Sequence, residues 1–501
     1  MKSMIDTLNG IIWSPVLIYL CLAAGLFYSI LTRFVQLRHF KEMIRLLFSG
    51  NQSPEGISSF QALTVSLSGR VGMGNIAGVA AAIGFGGPGA VFWMWVVAFL
   101  GAATAYTEST LAQIYKENDR GQYRGGPAYY FEKFFGGGFG KFYGILVAIS
   151  FIISCGLFLP GVQSNGVVKA ITGITGEGTM VNTAFGAVGT NTLVVTLVMV
   201  LILGLIIFGG IKRIARVAEF VVPLMALGYI LMAVLIVLFN INQLPNIISL
   251  IVGDAFTAQA GLGAAIGWGV KRGVYSNEAG QGTGPHHAGA AEVEHPAQQG
   301  MVQAFSVYVD TLFVCSATAF MILMTGMYNI QGTLPEGQFL VQNVDAATII
   351  SGPAFTQMAV SSIFGSFGNT FVAVAVFFFS FTTIMAYYYI AEVNVAYLTR
   401  SIKTTGALFF IKLVLIFAVA YGAINNSGYI WNMGDVGVGL TAWLNIVGIL
   451  AIFFMAKPAI LALKDYEAQQ KAGVTKFTFD PIKLGIKNAT FWEERNKKEQ
   501  N

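Results

Sequence analysis

Long apolar runs alternate with short polar connections along this chain. The runs fall near 13–32, 62–84, 89–113, 142–168, 192–209, 214–240, 255–275, 301–327, 368–398, 405–424 and 436–456. About 20 consecutive apolar residues span the hydrocarbon core of a bilayer, so the pattern predicts eleven membrane helices. Basic residues sort by connection. Arg33, Arg38, Lys41 and Arg45 follow the first run, Lys116, Arg120, Arg124, Lys133 and Lys141 the third, and Lys212, Arg213 and Arg216 the fifth. Lys271 and Arg272 end the seventh, Arg400 and Lys403 follow the ninth, and the tail from Lys457 is lysine-rich. The alternate connections 84–89, 241–254, 328–367 and 425–434 hold no Lys or Arg, and Lys169 is the main exception. Positive charge stays on the cytoplasmic side, so the N-terminus is expected outside and the tail in the cytoplasm. The long connection 328–367 is then external, with 346–360 expected as a surface helix lidding an outer vestibule. The polar tail from Tyr466 is expected to be partly disordered.

Composition agrees with a bilayer as the main solvent. Of 501 residues, 55% are hydrophobic and 11% charged, against about 25% charged in soluble domains. Mean hydropathy is +0.67. The 59 glycines suit close helix packing. The run from Ile11 to Leu31 is too long for a cleaved signal and lacks a small-residue cleavage site; it reads as the first span. Cys21, Cys155 and Cys315 each lie in an apolar run and read as small buried hydrophobes, with no disulfide framework. The net charge of +5 is spread over loops rather than gathered in a nucleic-acid patch. No G-x-S-x-G, HExxH or phosphate-loop motif is present, which argues against an enzyme.

One apolar run resists being a plain helix. Ser68–Gly69–Arg70–Val71–Gly72–Met73–Gly74–Asn75–Ile76–Ala77–Gly78 crowds four glycines into the middle of the second span. Each interior glycine costs about 1 kcal/mol relative to alanine. A break here leaves carbonyls able to hold a cation and N–H groups able to hold a carboxylate. In lipid, such a break is tolerated only where protein or a cavity satisfies the freed groups. Beyond the first helix, ten remain. They divide into two sets of five, and each leading helix is glycine-interrupted, at Gly72–Met73–Gly74 and at Gly261–Leu262–Gly263. An odd offset inverts the second set. Paired interrupted segments in inverted halves point to a transport site. The expected division is an extra helix and basic linker over 1–60, repeats over 61–245 and 246–456, and a tail over 457–501.

Three runs resemble the alanine or glycine:cation symporter family: 71–79 (Val-Gly-Met-Gly-Asn-Ile-Ala-Gly-Val), 87–95 (Gly-Pro-Gly-Ala-Val-Phe-Trp-Met-Trp) and 272–282 (Arg-Gly-Val-Tyr-Ser-Asn-Glu-Ala-Gly-Gln-Gly). The resemblance covers about residues 10–465. It implies an all-α LeuT-like five-plus-five inverted repeat with one helix in front, in the plasma (inner) membrane, importing a small neutral amino acid with Na⁺. By the same resemblance, the carbonyls of Ser68 and Val71 face the ion, and the run Phe379–Thr383 supplies the Phe379 carbonyl and the Thr382 and Thr383 hydroxyls. The family often has Gly-Trp where this chain has Ala386–Tyr387, so Tyr387 is expected in the substrate wall and substrate identity is the property most affected.

For a zwitterionic amino acid, N–H groups near Gly74 and Asn75 suit the carboxylate. Carbonyls around Gly72 and Gly263 suit the ammonium. Gln163 reads as a substrate contact and Asn165 as structural. Small lining residues favour alanine, glycine or serine. The alternatives are H⁺ coupling in the same fold, or a larger neutral amino acid such as glutamine. Arg70, beside the break, is expected either to clamp a carboxylate or to pair with Glu108, Glu219, Asp310 or Glu392. Glu278 is expected near the cytoplasmic end, pinning its loop or gating with Lys271 or Arg272. His286, His287 and His295 lack metal-site spacing and read as a solvated loop.

Overall fold

The computed structural model describes residues 2–48, 53–257, 262–335, 337–402 and 406–500. Nine helices among them are long and apolar enough to cross a bilayer: Met4–Leu31, Gly89–Ile114, Gly137–Thr175, Thr190–Ile207, Gly210–Phe239, Pro296–Thr325, Ser366–Thr399, Gly406–Ile424 and Ser427–Ile452. Two further crossings are each built from half-helices. Ser59–Arg70 is followed by Val79–Gly86, and Leu262–Asn277 by Gly284–Gly289. Nine plus two gives the eleven crossings expected, and the chain is a multi-pass membrane protein. The described strands form three short hairpins in connections, such as Met180–Thr183 with Gly186–Gly189.

Burial separates an inner bundle from an outer ring. The apolar windows of Pro296–Thr325 and Ser366–Thr399 are 78% and 72% buried, those of Thr190–Ile207 and Gly406–Ile424 only 28% and 33%. Outer helices expose Val194, Leu197, Leu201, Leu205, Phe410 and Phe417, an apolar belt that only lipid can solvate well. Inside, small residues let backbones meet. A Cβ on Gly422 would lie 2.1 Å from Gly161 Cα. Asn165 Nδ2 donates to Gly422 O and Asn425 O, both at 2.9 Å, the structural role expected of it.

Four expectations are corrected. The surface helix runs over Ala354–Phe364 rather than starting at 346; Gly352–Pro353 delays the start, and Ile350 packs against Gly84 instead. The tail is ordered and docked. Pro458–Lys471 and Thr490–Gln500 are helical, and Phe479 and Trp492 are buried beneath them; these sparse anchors are too few to raise mean hydropathy. The histidines are buried, not solvated. His286 meets Asn394 Nδ2 at 2.8 Å, His287 meets Ser66 Oγ at 3.2 Å, and His295 meets Asp465 at 3.1 Å. Finally, Lys271 and Arg272 do not close a span. They lie within Leu262–Asn277 and grip Asp435 of the last span at 2.7 and 2.8 Å. Asn9 of the N-terminal helix bonds Asn432 at 3.0 Å, which puts this ionic cluster toward the N-terminal face. The tail occupies the opposite face.

Candidate ion and substrate site

The first break is built by local chemistry. Ser58 and Gln61 form a reciprocal capping box that starts Ser59–Arg70. The helix ends at Val71, whose ψ of 89° turns the chain away. A wide π-helical turn over Gly74–Gly78 then restarts the helix. The freed groups find partners. Asn75 Oδ1 accepts from Gly72 N–H at 2.8 Å, and Gln163 Oε1 accepts from Met73 N–H at 2.9 Å. Asn75 Nδ2 donates to Asp310 Oδ1 at 2.6 Å. Gln163 and Asn75 therefore stand at the break, where both accept hydrogen bonds from its freed backbone N–H groups.

Oxygens converge on one side of it. Thr383 Oγ1 lies 2.8 Å from Ser68 O, 3.3 Å from Val71 O and 2.8 Å from Phe379 O. A hydroxyl carries one proton and cannot serve three carbonyls at once. Such a set of oxygens suits a hard monovalent cation, whose positive charge all four can face. Thr382 is placed differently. Its Oγ1 bonds Phe378 O at 2.9 Å and Phe379 O at 3.0 Å and lies 3.8 Å from Met225 Sδ. It touches the cluster only through the shared Phe379 carbonyl. Gly72 must be glycine for this packing, since a Cβ would stand 2.5 Å from Thr383 Oγ1 and 2.9 Å from Gln163 Oε1.

The second break is not where the glycine count placed it. Gly261 lies outside the described residues, and Gly263 sits exposed in the first turn of Leu262–Asn277, lining a separate cavity with Trp13, Trp268 and Lys271. At about 1.5 Å per residue, Gly263 is far from the first break. The chain leaves the helix at Glu278–Thr283 instead. Glu278, Gly280 and Gly282 all have positive φ, 58°, 81° and 86°. Gly280 N–H donates to Glu108 Oε1 at 3.3 Å, and Asn445 Nδ2 bridges Gly280 O at 2.9 Å and Glu108 Oε2 at 2.7 Å. The signal in the sequence was glycine at 280, 282 and 284, a period of two that no helix face uses. The two breaks meet: a Cβ on Gly74 would lie 3.0 Å from Ser276 Cα, and Ser276 Oγ reaches Asp310 Oδ1 at 3.1 Å.

The charged residues also rearrange. Arg70 is buried and donates to Gln303 O at 3.3 Å and Gln303 Oε1 at 3.4 Å; among the described residues it forms no ion pair. Its four expected partners are engaged elsewhere: Glu108 with Asn445, Glu219 with Gln61, Asp310 with Asn75 and Glu392 with Arg124. Glu278 accepts from Thr283 Oγ1 at 2.7 Å, a contact that pins its own loop, and lies beside Gly69, His287 and Ala386. Tyr387 is buried on the same helix as Thr383, with its hydroxyl turned to Glu278. Access comes from the N-terminal face. A cavity of about 460 Å³, lined by Asn165, Gly166, Thr172, Gln357 and Trp431, reaches down to Met73 in the first break. Among the described residues no group of three or more His, Cys, Asp or Glu could hold a transition metal.

Two broken helices crossing mid-membrane, with polar backbone turned inward, form the site geometry of a secondary transporter. The solved structure of MhsT in complex with L-phenylalanine shares this fold, with a TM-score of 0.54 and 14% identity over 82% of this chain and 99% of that one. Sequence relatives agree. YrbD of Bacillus subtilis (strain 168), named as an alanine carrier, is 54% identical over 99% of this chain and 98% of its own length. The sodium/proton-dependent alanine carrier protein of Bacillus sp. (strain PS3) is 46% identical over 91% and 98%. The sodium/alanine symporter AgcS of Methanococcus maripaludis is 34% identical over 90% and 94%. With a family model matching residues 1–480, this chain belongs to the sodium:alanine symporter family.

Proposed function

We propose that this chain imports a small neutral amino acid, alanine foremost with glycine or serine beside it, together with Na⁺. The observation that carries the reading is the convergence of Ser68 O, Val71 O and Phe379 O on Thr383 Oγ1. The ion binds there, and Thr382, whose hydroxyl now faces Phe378 O and Met225, adds a second hydroxyl only on changing to another staggered χ1 rotamer. The amino acid binds across the break between Gly72 and Asn75, its carboxylate toward the N–H of Gly74 and that of Asn75, which turns from Gly72 O, its acceptor at 3.1 Å. Gln163 and Tyr387 line the pocket. Gly263 has no place in it. The N-terminus lies outside, the tail lies in the cytoplasm, and the cavity above Met73 is the outer vestibule. The repeats over 61–245 and 246–456 supply one broken helix each.

The ion cluster itself contains no carboxylate, so the positive charge crosses with the solute and transport is electrogenic. A tenfold Na⁺ gradient is worth about 1.4 kcal/mol and 100 mV adds about 2.3 kcal/mol per charge. At one-to-one coupling these support about 500-fold accumulation of a neutral solute.

The test is alanine uptake into proteoliposomes under an inward Na⁺ gradient, with K⁺ and H⁺ gradients as controls and Thr383→Ala alongside. Na⁺-driven accumulation that the variant loses is the expected result. Equal uptake without Na⁺ overturns the ion assignment, and no accumulation under any gradient overturns the substrate. A second reading, H⁺ in place of Na⁺ as the coupling ion of the same fold, is favoured by the buried Asp310 carboxylate beside the first break and by the sodium/proton names of two relatives. It predicts uptake driven by a pH gradient alone in Na⁺-free medium.

A further inference from the structure

The segment 290–295, which follows the second broken helix, is held from two sides. On one side it forms a parallel bridge with Ile57. Ile57 N–H donates to Ala290 O at 3.0 Å, and Glu292 N–H donates to Ile57 O at 2.8 Å. Ile57 runs through the N-cap Ser58 straight into Ser59–Arg70, the half-helix that carries Ser68. The bridge therefore ties the tail-side ends of both broken helices to each other. Ser66 Oγ and His287 Nδ1, 3.2 Å apart, tie them again about two turns into Ser59–Arg70.

On its other side the same segment is gripped by the tail. Arg495 donates to Glu292 Oε1 at 2.8 Å and to Val293 O at 3.1 Å. Tyr123 Oη donates to Glu292 Oε2 at 2.9 Å. Trp492 is 1% exposed, and its Nε1–H donates to Gln113 O at 2.8 Å, at the end of Gly89–Ile114. Between these contacts stands Lys116, fully buried. It donates to Ala291 O at 2.9 Å and lies 4.4, 4.5 and 5.4 Å from the ring centroids of Tyr123, Phe491 and Trp492. Two of those three rings belong to the tail. Aromatic faces attract a cation most where water is excluded, so the tail completes a cage that Lys116 lacks without it.

We propose that the tail helix Thr490–Gln500 is a strap across the tail-side mouth of the transport path, with Trp492 and Arg495 as positioning residues. They act through Glu292 and Lys116 on the Ile57 bridge, and so set how readily the two half-helices part. The proposal rests on the transport reading for its meaning, because release toward the tail face requires that separation. The expected kinetic signature is faster opening toward the tail when the strap is weakened, with the ion and substrate contacts intact.

The test uses the full chain in inside-out membrane vesicles, with Ser66→Cys as a reporter buried between the half-helices and a membrane-impermeant maleimide added at the tail face. The chain without the reporter controls for Cys21, Cys155 and Cys315, which are buried. Arg495→Glu is expected to raise the labelling rate about tenfold, the scale of one lost charge-assisted hydrogen bond, and Trp492→Ala by about as much, through the loss of its N–H bond to Gln113 O together with its ring over Lys116. Trp492→Phe, which keeps an aromatic face and loses the N–H, should fall between. The exchange Glu292→Arg with Arg495→Glu restores the pair and should return labelling toward its starting rate. Unchanged labelling in Arg495→Glu, with the protein still monodisperse and its thermal unfolding temperature kept, overturns the proposal. So does a fall in unfolding temperature with no change in labelling and no rescue by the exchange, which is the mark of a merely structural tail. Labelling needs no knowledge of the substrate, so failure of the alanine reading and failure of the strap are separate results.

Discussion

Thr383 shows how much one side chain depends on its surroundings. In isolation a threonine in a membrane span bonds back to the carbonyl one turn earlier, and Thr383 does so with Phe379 O at 2.8 Å. What turns it into a candidate ion ligand is the arrival of Ser68 O and Val71 O from a helix more than 300 positions earlier in sequence. Its neighbour Thr382 bonds back in the same way but meets Met225 rather than the break. Resemblance gave both threonines one role, and the rotation of a single helix separates them. Gly72 is the clearest test at this scale. Gly72→Ala forces a methyl to within 2.5 Å of Thr383 Oγ1. Overpacking of this kind costs about 1–3 kcal/mol, and here it displaces an ion ligand. Na⁺-stimulated alanine uptake should fall at least tenfold while the protein still inserts and purifies. Retention of full Na⁺ stimulation would remove the cluster around Thr383 from the mechanism.

At the scale of helices, apolar run length gave the crossings and their order, because the bilayer demands about 20 apolar residues whatever their neighbours. The first break was legible too, since glycines at 69, 72, 74 and 78 spoil any helix. The second was placed one helix-length away. Glycine marks both a helix start and a helix interruption, and only the positive φ at Glu278, Gly280 and Gly282 shows which run is unwound. Glycine pairs also set helix contacts that composition hides. Gly161 and Gly422 bring two spans together at the backbone. Gly422→Ala is expected to lower the thermal unfolding temperature and weaken stability by about 1–3 kcal/mol, whereas Gly204→Ala, with nothing within 4 Å of the added carbon, should leave both unchanged. Unfolding of detergent-solubilised protein checks the pair side by side.

At the scale of the whole molecule, the basic residues divide into two kinds that the sequence presents alike. Most stand in connections and follow the positive-inside pattern. Lys271 and Arg272 are instead enclosed with Asp435, the arginine stacked between Trp268 and Trp431 at 5.1 and 4.9 Å. Breaking a buried ionic group by removing one partner is worth about 3–5 kcal/mol, because the remaining charge stays buried. Asp435→Asn leaves two cations facing an amide and should reduce folded yield sharply. Combining it with Lys271→Met should recover part of the loss, and no recovery would show that Asp435 does not balance this pair. The sequence by itself determined the solvent, the number and order of crossings, the first break and the family, since each depends on composition or spacing within one stretch of chain. Tertiary structure decided which threonine meets the carbonyls of the first break, where the second helix unwinds, which charges are paired and whether the tail is bound. Those outcomes depend on contacts between residues hundreds of positions apart, and in a low-dielectric interior each buried polar group takes whatever partner the packed helices bring to it.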